Sequence, residues 1–193
     1  MKNVYQHPDD PHRIIKTMRP ELVSPDGGFV ESGPIRRRNN QGAYRQFRRE
    51  LLQYLELCRR HYSKRVFRFP VETPHGLIGT SEGLGLVVEK VVAPDGTGRT
   101  LAALAAGREL TDRHLAALER FFEDCARLHI VFGEVNAAGI MYTEARSGRP
   151  EFVLVDGIGE KLFIPIRAIS KTVNSRNVQK VRKRIMAGIA DAG

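Results

Sequence analysis

The sequence contains few cysteines and no long apolar segment. The 193-residue chain has two cysteines, Cys58 and Cys125, and each falls on the apolar stripe of a predicted helix. A buried thiol acts as a small hydrophobic group, so neither a disulfide nor a cysteine-based metal site is predicted. No apolar run approaches the ~20 residues that span a bilayer. The first residues, 1–7, lack the apolar stretch of a signal peptide, and we therefore expect a cytoplasmic protein.

Acidic residues are outnumbered by basic ones, and the net charge is +9. Arginines cluster at 36–38, 48–49 and 59–60, and a second basic group occupies 176–184. Such charge indicates an anionic small molecule or an acidic protein as partner, unless both groups are solvated helix faces. A nucleic-acid-binding protein is the less favoured alternative, because the sequence has no aromatic stacking platform and no helix-turn-helix signature.

The pattern of the chain predicts an α+β protein of two lobes. Residues 1–92 form the predicted N-terminal lobe, which combines strands with one long helix over 40–61. The turn-forming run Pro94–Gly98 marks the boundary. Residues 93–193 form a mainly helical C-terminal lobe that contains one β-hairpin. Shorter elements are predicted as strands at 13–17, 66–69 and 84–91, and as helices at 100–106 and 111–128.

Two carboxylates flank the predicted hairpin. Glu134 and Asn136 precede the apolar run 140–143, and Asp156 follows the apolar run 152–155. A turn at 147–150 separates the two runs. Antiparallel strands joined by a short loop bring their outer ends together, so these three side chains are expected at one end of the hairpin. Oxygen ligands gathered in this way suit a Mg²⁺ ion that bridges phosphates; the alternative is two solvated acidic residues in two loops.

The order of these motifs resembles the protein-kinase-like fold, and in detail a bacterial family within it, the PhoP regulatory network protein YrbL family. Three segments carry the resemblance: Val4–Pro11 with Ile14–Lys16, Leu128–Asn136, and Leu154–Gly159. The likeness covers most of the chain, loosely between these motifs. It implies a two-lobed kinase-like fold with a reduced N-terminal lobe, and a protein that binds ATP and Mg²⁺ between the lobes.

The resemblance also implies roles for individual residues. Lys16 matches the strand lysine that contacts nucleotide phosphates, and Glu50 matches the helix glutamate that pairs with it. Glu89 lies where the backbone would meet the adenine edge. Glu134 matches the catalytic-loop aspartate that accepts the proton of the substrate hydroxyl, and Asp156 matches the aspartate that holds Mg²⁺.

Three departures from the kinase pattern weaken the expected activity. Glu134 is one methylene longer than aspartate, and an error of ~1 Å in a catalytic group lowers rates by about two orders of magnitude. Gly139 stands where the pattern has an asparagine for a second metal, and Asn136 could take over that role only if the loop followed a different path. No glycine-rich loop precedes Val4 in this sequence. We therefore predict weak or absent phosphotransfer; a pseudokinase-type regulatory protein that binds no nucleotide is the alternative.

The basic C-terminal segment, Lys171–Arg184, is predicted to be a helix. Val178, Val181 and Ile185 would pack it on the second lobe. The cations at 180 and 182–184 would then stay largely exposed, either for an anionic partner or only as a solvated face.

Overall fold

The computed structural model describes residues 2–30, 42–159 and 166–190. The chain divides into two compact units. The first unit combines Met1–Leu52 with Thr73–Lys90, and the second combines Gln53–Glu72 with Val91–Gly193. The chain passes finally from the first unit to the second after Lys90, two residues before the predicted boundary. The segment 53–72 differs from the prediction, because it belongs with the C-terminal part of the chain.

The first unit is built on an antiparallel sheet of four strands in the order β1-β2-β4-β3. The strands are β1 Lys2–Gln6, β2 Arg13–Met18, β3 Pro74–Thr80 and β4 Gly83–Glu89. Alternation of apolar side chains directs one face of β2 and β4 inward. There Met18, Leu86 and Val88 pack against Phe47 from the start of helix α1, Arg45–Arg60.

Among the residues described, the second unit contains a three-stranded antiparallel sheet, the part of α1 from residue 53 onward and four further α-helices. The strands are β5 Arg99–Thr100, β6 Ile140–Thr143 and β7 Glu151–Leu154. The helices are α2 Leu101–Ala106, α3 Asp112–Arg127, α4 Ile166–Ile169 and α5 Lys171–Ala190. Thr111 caps α3 as its sequence position predicts, accepting a hydrogen bond from the His114 amide. The α+β class is therefore confirmed.

A single apolar core joins the elements of the second unit. Phe121, Phe122 and Cys125 of α3 pack with Phe132 and with the inner face of the hairpin. Burial raises the pKa of the Cys125 thiol well above its ordinary value. Cys58 and Cys125 are both free thiols, as predicted.

One predicted strand does not form. Residues 66–69 have no regular structure: Val66 and Phe67 are exposed, and only Phe69 is buried. Arg65, which precedes them, adopts a left-handed conformation with φ of 51°. Of the apolar residues in this segment, Phe69 is the buried one, and its ring contacts those of Tyr54 and His61.

Among the described helices, none combines the length and the apolar character that crossing a membrane requires.

Candidate functional site

The predicted hairpin is formed by β6 and β7, and it brings the loop of Glu134 to the turn of Asp156. The Gly133 amide donates to the Gly157 carbonyl at 2.7 Å. On the other side, the amides of Val155 and Asp156 both donate to the Gly139 carbonyl, at 2.8 and 3.3 Å. These bonds hold the segments 133–139 and 155–157 side by side at one end of the hairpin.

Gly157 allows this close approach. Its φ of +81° lies in the left-handed region, and a Cβ at this position would come within 2.5 Å of the Glu134 carbonyl oxygen. Only glycine combines that conformation with that contact at low cost. The side chains of Glu134, Asn136 and Asp156 are all exposed, so they remain accessible at the end of the hairpin.

Asn136 has a structural role at the same place. Its side-chain oxygen accepts a hydrogen bond from the Gly139 amide at 3.0 Å and caps the short 3₁₀ turn Ala137–Gly139. An amide oxygen has two lone pairs, so this bond leaves one for another donor or a cation. Gly139 is packed closely as well, because a Cβ there would lie 3.2 Å from the Asp156 carbonyl oxygen.

This donor set fits a metal that shares its coordination with a ligand. Within 2–30, 42–159 and 166–190, no group of three or more His, Cys, Asp or Glu side chains could enclose an ion. Magnesium is usually held by one or two carboxylates while water and substrate phosphates complete its shell. Asp156, Asn136 and Glu134 offer hard oxygen ligands of that kind and no soft sulfur or imidazole group.

A cleft of about 400 Å³ opens beside this end of the hairpin. The loop side is lined by Glu134 and Asn136, and the opposite side by residues of α5 that include Asn177, Lys180 and Arg184. The Arg184 guanidinium donates to the Val135 carbonyl at 2.6 Å, which fixes the helix to the loop. The sequence suggested no link between the basic helix and Glu134.

The buried side chain of His129 is at the centre of a partly buried hydrogen-bond network next to the Glu134 loop. Its Nδ1 lies 2.7 Å from an Arg60 guanidinium nitrogen, and its Nε2 lies 2.7 Å from the Arg167 carbonyl oxygen. Arg60 can only donate, so Nδ1 accepts and Nε2 carries the proton. Arg167 in turn donates to the Phe132 carbonyl at 2.8 Å. The sequence explained His129 as a residue at a helix end, but its left-handed φ of 61° carries it past the helix into this network.

Glu56 extends the network to the surface. Hydrogen bonds from Arg59, and then from Arg60, lower the pKa of its carboxyl to about 2. Glu56 thereby orients the Arg60 side chain that reaches His129.

The remaining predicted residues belong to the first unit. Lys16 is buried on β2 opposite Val4 and Leu86. Glu50 is also buried and forms an ion pair with Lys2, while its second oxygen makes no hydrogen bond within the described residues. The proposed pairing of Lys16 with Glu50 stays a prediction.

Glu89 ends β4, where its carboxylate accepts a hydrogen bond from the Thr73 amide at 3.0 Å. This bond ties the end of β4 to the residue that precedes β3. The expectation that the backbone here meets a nucleotide base also stays a prediction.

The basic C-terminal helix is confirmed, and it continues to Ala190. Val178, Val181 and Ile185 are buried as predicted. The expectation of a largely exposed Arg182 is wrong: its side chain is 35% exposed and forms a bidentate ion pair with Glu119 of α3, at 2.7 and 2.8 Å. The local sequence pattern around Arg182 gives no sign of this partner, because Glu119 lies on another helix.

Comparison with known families identifies the chain. The family model described as PhoP regulatory network protein YrbL matches residues 1–190. The chain belongs to the YrbL family. No curated protein matches it.

Two solved structures resemble the YrbL-family chain over 86% of its length. One is a crystal structure of WbdD, at 14% identity and a TM-score of 0.41. The other is a structure of the bifunctional kinase-methyltransferase WbdD, at 14% identity and a TM-score of 0.42. The chain spans 33% of the length of each.

Proposed function

We propose that this YrbL-family protein has a kinase-like architecture and binds a nucleoside triphosphate with Mg²⁺ at the end of the hairpin. The observation that carries the proposal is the backbone pairing of the Glu134 loop with the Asp156–Gly157 turn. This pairing holds the backbone of two accessible carboxylates in fixed positions close together, as a metal–phosphate site requires.

Asp156 is the proposed principal metal ligand. Its carboxylate is exposed, while its amide is held by Gly139, so the side chain projects from a fixed backbone. Asn136 would contribute the free lone pair of its capping oxygen. The bound Mg²⁺ would neutralise the negative charge of the phosphates.

Glu134 is proposed to orient an acceptor hydroxyl and to accept its proton. We propose weak or absent phosphotransfer for two reasons. The longer glutamate side chain has one more rotatable bond than aspartate, and Gly139 offers no side chain for a second metal. The nucleotide roles that the resemblance implies for Lys16, Glu50 and Glu89 stay predictions.

A thermal shift assay with the full chain tests the metal role of Asp156. At about 100 times Kd, a ligand stabilises its protein by about 2.7 kcal/mol. For a chain of this size that raises Tm by roughly 5–10 °C. We expect this rise with ATP and Mg²⁺, and only a small rise with ATP and EDTA. Asp156→Asn should abolish the magnesium-dependent part, since an amide lacks the charge that the ion requires.

Asp124→Asn is the matched control, because Asp124 is a partly exposed residue of α3 whose carboxylate pairs with Arg127. It should leave the nucleotide response unchanged. If the wild-type protein shows no rise with ATP under either condition, the nucleotide proposal is wrong and the alternative of a regulatory protein without nucleotide is favoured. A magnesium-dependent rise that survives Asp156→Asn would contradict the metal role assigned to this residue.

A further inference from the structure

The cleft beside the hairpin end has a basic side, and α5 supplies it. Asn177, Lys180, Val181 and Arg184 recur at the spacing of one helix face. We propose that this side binds the phosphate of a small phosphomonoester that carries a free hydroxyl group. The identity of this ligand as the acceptor rests on the proposed function, because Glu134 lines the same cleft.

Lys180 and Arg184 form no ion pair with a carboxylate among the described residues, in contrast to four arginines of the same unit. Arg59, Arg99, Arg127 and Arg182 each form an ion pair with a carboxylate. Lys180 is exposed, and the described part of the chain provides no ion pair for it. Arg184 donates to a neutral carbonyl, that of Val135, and keeps its full charge.

The contacts of this helix face leave donors for a ligand. One terminal nitrogen of Arg184 is engaged with Val135, which fixes the guanidinium plane and leaves other N–H groups of the fork. The Asn177 amide donates to the Phe132 carbonyl at 3.3 Å and has a second N–H. An arginine fork, an ammonium group and an amide are together suited to the three oxygens of a phosphate.

The size of the cleft favours a small molecule. A volume of about 400 Å³ lies within the range of ligand pockets in proteins. Two cations and one carboxylate, Glu134, line it, so the cleft attracts an anion on the α5 side and offers an acceptor for a hydroxyl proton on the loop side. Val135 and Val181 add apolar surface to the lining.

Isothermal titration with glycerol 3-phosphate tests this site directly in the full chain without nucleotide. We expect saturable binding, no measurable binding of glycerol, and weaker binding of glycerate. Lys180→Gln should raise Kd at least about tenfold, because a charge-assisted hydrogen bond is lost. Arg184→Lys should raise it less, since the charge is kept and only the fork is lost.

Lys183→Gln is the matched control, since Lys183 is an exposed residue of the same helix outside the cleft lining. It should change Kd less than twofold.

If Lys183→Gln weakens binding as much as Lys180→Gln does, the attraction comes from the diffuse charge of α5 and the proposal fails. It also fails if glycerol 3-phosphate does not bind and vesicles containing phosphatidic acid do not bind either. Vesicle binding that is lost in Lys180→Gln would assign the phosphate to a lipid headgroup.

The phosphomonoester site and the nucleotide site can be tested separately. Lys180→Gln should retain the Mg²⁺–ATP thermal shift, and Asp156→Asn should retain the binding of glycerol 3-phosphate. Competition between ATP and glycerol 3-phosphate would show that these cations hold nucleotide phosphates, which overturns the acceptor site. Binding of glycerol 3-phosphate without any response to ATP would refute the nucleotide proposal and support the anion site.

Discussion

Replacement of Gly157 by alanine should lower the free energy of unfolding by about 3 kcal/mol, through left-handed strain and overpacking together. Gly157 has a φ of +81°, and the new Cβ would lie 2.5 Å from the Glu134 carbonyl oxygen and 2.8 Å from its carbon. Both neighbours are backbone atoms, so relief requires the Glu134 loop to move away from the Asp156 turn. Urea denaturation measures the loss of stability, and ligand binding at the hairpin end should be lost with it.

Gly148→Ala separates the two causes of this effect. Gly148 lies in the turn at the opposite end of the same hairpin, with a φ of +70° and no atom within 4 Å of a built Cβ. Alanine there meets only the conformational cost, about 1 kcal/mol. Equal effects of the two substitutions would show that the close approach of Gly157 to Glu134 contributes nothing.

Phe132→Ala should cost about 3–5 kcal/mol, the range for removal of a fully buried aromatic ring. Phe132 is 0% exposed, and its ring contacts those of Phe121 and Phe122 at centroid distances of 6.4 Å. Its backbone carbonyl accepts hydrogen bonds from Arg167 and Asn177. A cavity at this position therefore removes packing directly beneath the Glu134 loop, and the midpoint of urea unfolding should fall accordingly.

Phe67→Ala is the control for that measurement. Phe67 is 46% exposed and its ring contacts Tyr62 alone among the described aromatic rings. Its truncation removes little buried area and should cost less than about 1 kcal/mol. A loss at Phe132 as small as that at Phe67 would mean that the aromatic cluster does not hold the loop.

Local patterns predicted the hairpin and the residues at its end. The apolar runs before and after the turn at 147–150 fix which strands pair, and the pairing fixes where Glu134 and Asp156 lie. The strand β2 and the helices α1, α3 and α5 also lie where the local sequence pattern predicts them. The resemblance to the YrbL family is confirmed by the family match over residues 1–190.

Other features depend on packing between distant segments and had no local signal. The hydrogen bonds of His129 join residues 69 and 38 positions away in the chain. The docking of α5 on the loop, through Arg184 and Val135, spans 49 positions. Periodicity reports which face of a helix is buried, and it does not report what that face meets. For the same reason, the sequence predicted a charged helix and did not predict that Lys180 and Arg184 share a cleft with Glu134.

Paramagnetic relaxation by Mn²⁺ in ¹⁵N-labelled protein tests the metal site most directly. Mn²⁺ replaces Mg²⁺ at oxygen ligands and broadens the signals of nearby amides. With ATP present, we predict that substoichiometric Mn²⁺ strongly broadens the amide signals of Glu134, Asp156 and Gly157. The amide signal of Gly148, at the far end of the hairpin, should broaden much less. Asp156→Asn should remove this pattern. Broadening centred elsewhere, or unchanged in Asp156→Asn, would contradict a metal–nucleotide site at the hairpin end.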